Sequence, residues 1–341
     1  MPPSTRRLAA ALLVLALASP ALAAGPEEER GTLSFVLEND IVSGADRDFT
    51  NGVLVSWTSP AGAAPDWALD AGRWLTLFSE ETSVRVNYGL GQSMYTPNDI
   101  TLVVPPADDR PYAGWLYASI GLVGVTDSKV NDVDQWLDQL QLQVGVVGPA
   151  SLAEETQEFV HELVGSDDPQ GWYAQLRNEP GFVLTYQRSW RAIRTGELYG
   201  LGFDATPHFG AALGNVFTYA NAGGTLRLGW NLPDADYGPA RVQPSLPGSG
   251  YFRTQDRFGA YVFAGFDGRA VARNIFLDGN TWKSGPSVDK ETFVGDVQAG
   301  VAVTFGPARV TYTHVFRTPE FEGQDGRDEF GALSVSYQLA F

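Results

Sequence analysis

Three histidines occur in the chain, at positions 161, 208 and 314, and only His161 has surroundings suited to chemistry. Neutral imidazole is the side chain best matched to accepting a proton near neutral pH. Gln157 lies four residues before it, so on a helix the two share one face and the carboxamide can hydrogen-bond the ring or a water beside it. A second polar group occupies the first hairpin: Glu38-Asn39-Asp40, a short loop with Asp46 and Asp48, then Phe49-Thr50-Asn51-Gly52. Dense oxygen donors in a tight loop suit a hard cation such as Ca²⁺. An ordinary polar hairpin has the same composition, and the ligand spacing is not that of an EF-hand. No Gly-x-Ser-x-Gly elbow, His-Glu-x-x-His pair or P-loop is present, which disfavours the common serine hydrolases, zinc proteases and NTPases.

The elements that must position these groups are mostly strands. Leu140, Leu142, Val144 and Val146 alternate with Gln139, Gln141, Gln143 and Gly145. A soluble sandwich would carry charges on its wet face, whereas an apolar face toward lipid and a polar lumen explains an uncharged Gln/Gly face. The same alternation predicts twelve strands near 32–40, 48–57, 83–95, 112–124, 136–147, 181–191, 206–213, 222–231, 258–273, 291–304, 308–318 and 329–341. Most have the length of a tilted membrane-crossing strand. The expected fold is all-β, a transmembrane antiparallel barrel with both termini on the periplasmic side and a short helix in an extracellular loop. Two periplasmic connections, 58–82 and 232–257, are long for such a fold. The helix is expected from Leu152 to Val164, with Ser151 and Glu154 at capping-box spacing and Gly165 as its stop. On this count Asp40, Thr50 and the His161 helix all stand at the extracellular rim.

Composition narrows the function further. Arg6 and Arg7 precede an apolar run from Leu8 to Ala18, and Ala21-Leu22-Ala23 offers a cleavage site. Residues 1–23 therefore read as a signal peptide, leaving 24–341 as a single barrel domain. The two arginines lost with that peptide take the net charge from −17 to −19. So acidic a chain has no basic footprint for nucleic acid, while its surface can collect divalent cations. With no cysteine, disulfides and thiolate metal sites are excluded.

Several segments together resemble the lipid A 3′-O-deacylase (LpxR-type) family of Gram-negative outer-membrane proteins. They are LENDIVSGADRDFTNG, GQSMYTP, DDRPYAGWLY, GVVGPASLAEETQEFVHELVG and GWYAQLRNEPG, with GNVFTYANAGGTLRLGWNLP and NIFLDGNTW besides. The likeness spans essentially the whole mature chain. It implies an active site between the barrel wall and an extracellular-loop helix, and Ca²⁺-dependent hydrolysis of an acyl ester on lipid A, the membrane anchor of lipopolysaccharide, by a mechanism compared with that of phospholipase A2. The matching residues here are Asn39, Asp40, Thr50, Gln157 and His161. His161 would be the base and Gln157 would orient the ring or the water. Asp40, with Asn39 or nearby carbonyls, would hold Ca²⁺. Asn39, Asp40 and Thr50 are equally suited to ligating the cation and to orienting the base. An acidic residue after the histidine falls at Asp167 or Asp168, whereas the family's basic residue after the Tyr-x-Pro segment has no counterpart among residues 98–107.

Three other functions fit a barrel of this kind: a phospholipid acyl hydrolase, a passive porin, and a structural barrel that binds partners through its loops. Sensitivity to His161 separates the enzymes from the last two, and substrate assays separate the two enzymes.

Overall fold

The computed structural model describes residues 30–40, 48–74, 78, 82–127, 135–190, 193–233, 241–242, 252, 258–324 and 326–340. The proposed signal peptide, the Asp46 loop and the terminal Phe341 lie outside these. Twelve strands close an antiparallel barrel: β1 (Arg30–Asn39), β2 (Asp48–Thr58), β3 (Thr82–Thr96), β4 (Ala113–Asp127), β5 (Gln135–Val147), β6 (Glu179–Trp190), β8 (Leu201–Gly214), β9 (Phe217–Trp230), β10 (Gly259–Asn274), β11 (Phe293–Phe305), β12 (Ala308–Arg317) and β13 (Asp328–Ala340). The seam between first and last strands runs from Arg30↔Ala340 to Asn39↔Gly331. One strand was not expected. The six-residue β7 (Ile193–Leu198) folds back on the first residues of β8, while β6 pairs with β8 from Ser189↔His208 upward. It extends the barrel wall without entering the ring.

Alternation decides which face each residue takes. On β5, Gln139, Gln141 and Gln143 are buried in the lumen, and Leu142 and Val144 are exposed, as a lipid-facing wall requires. The lumen is polar but filled. Asp296 accepts paired bonds from Arg269 (2.9 and 3.0 Å) and from Arg317 (2.9 and 3.0 Å), and Arg227 forks onto Asp204. Buried carboxylates are tolerable only when their charge is met in this way. The upper end, where β1 stops, is closed by an aromatic plug in which Phe49, Tyr95 and Phe330 of the wall meet Phe276. Phe276 belongs to a one-turn helix following β10, and it stacks on Tyr95 at 4.0 Å.

The two long lower connections have separate explanations. Helix α1 (Asp66–Trp74) lies in the first and covers the outer face of β3 and β4, burying Ala68 and Phe78 against Val84, Val86 and Leu122. Trp67 and Trp74 remain exposed on it, the placement of aromatic anchors at a membrane interface. The second connection turns inward. Its described residues Arg241, Val242 and Phe252 are inside the barrel, with Val242 and Phe252 fully enclosed. Among the described residues no helix is long and apolar enough to cross a membrane.

Candidate active site

Helix α2 (Ala153–Val164) lies against the outer surface of β3 and β4 rather than above the rim. Gly114 of β4 makes that approach possible. A side chain there would overlap the Ser151 hydroxyl and the Ala153 methyl, so only glycine lets the loop lie flat on the wall. Gln92 of β3 clamps the same point by donating to the Ser151 carbonyl at 2.7 Å. The expected capping box does not form. Pro149–Ser151 is a separate 3₁₀ turn, and Leu152, left-handed at φ 59°, is the helix N-cap without a side-chain bond. Ser151 is already committed to the wall. The C-terminus ends as the sequence predicts, at a left-handed Gly165 whose N–H returns to the His161 carbonyl at 2.7 Å.

Gln157 and His161 share the buried face of α2. Trp172 Nε1 donates to Gln157 Oε1 at 2.7 Å. An indole N–H can only donate, so the carboxamide oxygen must face it. The Gln157 amide nitrogen is thereby turned the other way, a buried donor without a hydrogen-bond partner among the described residues. Trp172 is itself held by Tyr112, with ring centroids 4.9 Å apart. His161 Nδ1 lies 2.5 Å from the Asp167 carbonyl oxygen. A carbonyl only accepts, so Nδ1 carries the proton and Nε2 is the basic nitrogen. Of Asp167 it is the main chain that meets the imidazole. Little more than one turn of helix carries an oriented donor and an oriented acceptor.

The first-hairpin residues occupy the same wall. Asn39 pairs with Asn51, Asn51 with Met94, and Met94 with Gly114. This row crosses four strands to the point where α2 is seated, about 14 Å at normal strand spacing. Asn39 follows inward-facing Glu38 and so points outward. Asp40, in the turn after β1, is fully buried. Thr50 is the extra residue of a bulge between Phe49 and Asn51. Carboxylate, carboxamide and main-chain oxygens match a hard cation such as Ca²⁺. Among the described residues no three acidic or imidazole side chains converge.

A family model described as outer membrane protein LpxR matches residues 8–339. The chain belongs to the LpxR family. That is the family of outer-membrane lipid A deacylases which its motifs resemble, and its place is the Gram-negative outer membrane. The fold is similar to that of LpxR from Salmonella typhimurium, with TM-score 0.71 and 18% identity over 90% of this chain and 99% of that one. The β domain of the Bordetella autotransporter BrkA scores 0.41 at 8% identity over 92% and 98% of the two chains, a level that carries no argument. No curated protein sequence is significantly similar.

Family motifs outside α2 tie the loops together. Arg110, in the extracellular loop between β3 and β4, is buried and donates to Glu320 of the loop before β13 at 2.6 Å, while its guanidinium lies 5.4 Å from the Tyr95 ring. This arginine is committed to the barrel mouth and does not replace the basic residue missing from 98–107. Ile100 of the same loop accepts from Gln170 N–H at 2.8 Å and from the Tyr112 hydroxyl at 3.2 Å. Sequence reasoning missed Trp172 and Tyr112 as parts of the site, although both stand in motifs it singled out. The other histidines are engaged elsewhere. His208 pairs with Asp267 at 2.9 Å in the lumen, and His314 lies on the outer face 3.5 Å from the Tyr312 hydroxyl.

Proposed function

We propose that this protein removes the ester-linked 3′-O-acyloxyacyl chain from lipid A in the outer leaflet, with His161 as general base. The observation that carries the reading is the fixed polarity of the α2 face, where Trp172 turns the Gln157 amide N–H₂ outward and Asp167 leaves Nε2 of His161 as the acceptor. Ester hydrolysis needs one of each. A water attacks the acyl carbon as His161 Nε2 takes its proton, and the Gln157 amide donates to the oxygen that becomes negative. Collapse breaks the ester C–O bond, and the imidazolium returns the proton to the departing sugar oxygen. The products are a fatty acid and a lipid hydroxyl, with no covalent acyl-enzyme. Asp40, Asn39 and main-chain oxygens near them would hold Ca²⁺, with Thr50 beside them. When bound, the ion supplies positive charge that polarises the carbonyl.

The filled lumen and the aromatic plug at its mouth argue against a porin. The deciding experiment incubates purified protein in detergent with lipid A or phospholipid, with and without a chelator, and reads products by mass spectrometry. Loss of the 3′-O-acyloxyacyl group from lipid A, abolished by chelation and restored by Ca²⁺ but poorly by Mg²⁺, is expected. Fatty acid released from phospholipid alone would make the protein a phospholipid hydrolase, and full activity in excess chelator would remove Ca²⁺ from the mechanism.

A further inference from the structure

The connection between β9 and β10 starts and ends at the periplasmic side, yet two of its residues touch the strand end that carries the proposed Ca²⁺ ligands. Val242 N–H donates to Glu38 Oε1 at 2.9 Å, and Arg241 Nε lies 3.3 Å from the same oxygen. Glu38 is fully buried and immediately precedes Asn39 and Asp40. The Arg241 guanidinium also donates to Gln298 Oε1 at 3.0 Å and approaches Asp296 at 3.5 Å, both on β11, and sits 5.4 Å from the Phe330 ring. It is therefore braced on β11, three strands round the ring, as well as on β1. Glu38 pairs in register with Gly52 of β2. A methyl at Gly52 would come within 2.9 Å of Val242 Cγ1 and 2.8 Å of Phe49 Cζ, closer than carbon atoms pack.

We propose that Arg241 and Val242 are positioning residues, an internal strut that holds the extracellular end of β1 and so places Asn39 and Asp40 on the other side of the wall. The mechanical link is short. Successive residues of a strand point to opposite faces on one stiff backbone, so fixing Glu38 from the lumen fixes Asn39 facing outward. Leaving Glu38 buried without its cation would instead favour displacement of the strand end toward water. The proposal rests on the assignment of Asn39 and Asp40 to the active site. Its mechanical part can be measured independently of that assignment.

The test compares full-length wild type with Arg241→Met, Arg241→Lys, Gly52→Ala and the double variant Gly52→Ala/Val242→Ala, all as heat-modifiable barrels in detergent. Hydrogen exchange is followed in the peptide covering residues 35–40, with β8 as internal reference. Arg241→Met and Gly52→Ala should each raise exchange at that strand end by about tenfold, as for a local opening, and leave β8 unchanged. Their lipid A kcat should fall by about 10²-fold, the order expected for a misplacement near 1 Å, with KM held. Arg241→Lys should recover part of both. The double variant should restore part of both, because the smaller residue 242 removes the contact with Val242 Cγ1 and leaves the one with Phe49. Unchanged exchange and kcat in folded Arg241→Met would overturn the strut. If that variant does not fold, Gly52→Ala decides: failure of the double variant to rescue it would equally overturn the proposal. A wild type that hydrolyses no lipid would sink the proposed function, and exchange alone would then decide the strut.

Discussion

A tryptophan indole offers a hydrogen bond only its N–H, and this turns the Gln157 carboxamide into a donor aimed away from Trp172. The same reasoning applied to the Asp167 carbonyl gives His161 its tautomer. Both assignments follow from partners that cannot reverse roles, and both are open to substitution. His161→Ala and His161→Gln should each lower lipid A hydrolysis by about 10²–10⁴, the usual cost of a lost general base. Heat modifiability should stay intact, with His314→Ala as the active control. Gln157→Ala should cost about 10²–10³, as for a lost oxyanion donor. Trp172→Phe, which keeps the ring and removes the N–H, should lie between wild type and Gln157→Ala. Steady-state release of fatty acid measures all of these. A folded His161→Ala protein with wild-type turnover would require another base.

At the level of elements, the seating of α2 on the wall rests on one missing side chain. Gly114→Val should lift the Ser151–Ala153 segment and cut activity by about 10²-fold or more through misplacement of Gln157 and His161. The barrel should still migrate as a folded band on unheated gels, and unchanged turnover would show that the helix is not seated there. Most strands were legible because lipid on one side and a polar lumen on the other impose a two-residue period, as Gln139, Gln141 and Gln143 show. What escaped has physical causes. Ile193–Leu198 (β7) is only six residues long, carries Arg194 and Glu197, and lacks that period. The first residues of β8 and β9 depart from it as well, since the lumen there takes Asp204 paired to Arg227 and the aromatic Phe217 and Tyr219. Helix α1 is nine residues with two exposed tryptophans, too short for a clear pattern. The Ser151 capping box failed because Ser151 ends a separate 3₁₀ turn, which leaves Leu152 as the N-cap. Histidine, glutamine and the hairpin could be found from spacing, whereas Trp172, 15 residues from its partner Gln157, needed the folded loop.

For the whole molecule, the mouth is sealed by charge as well as by aromatic rings. Burial alone would raise the Glu320 carboxyl, but Arg110 and Arg317 outweigh it and hold it below the ordinary value of 4.5. The folded protein therefore takes up this proton at lower pH than the unfolded chain does. The stabilisation is complete above about pH 4.5 and is lost as pH falls through the depressed folded value. Thermal unfolding followed by tryptophan fluorescence should show acid destabilisation in that range. Glu320→Gln should be less stable at neutral pH and show a flatter acid limb; an identical pH profile would remove Glu320 from the seal. Planar-bilayer recording of the wild type should give no steady porin conductance, because Arg241, Val242, Phe252 and the aromatic plug occupy the lumen.

The inward connection also constrains how such a barrel can be assembled. It is gripped on both sides of the seam: Glu38 on β1 holds Val242, and on β13 Gln338 Nε2 donates to the Phe252 carbonyl at 2.5 Å. β1 is the first strand made and β13 the last. The described residues of the connection therefore bridge the seam from inside the lumen, so that the two ends of the chain are joined by a third partner as well as by their own ladder. Strands made at opposite ends of synthesis thus share one inner surface against which their register is set.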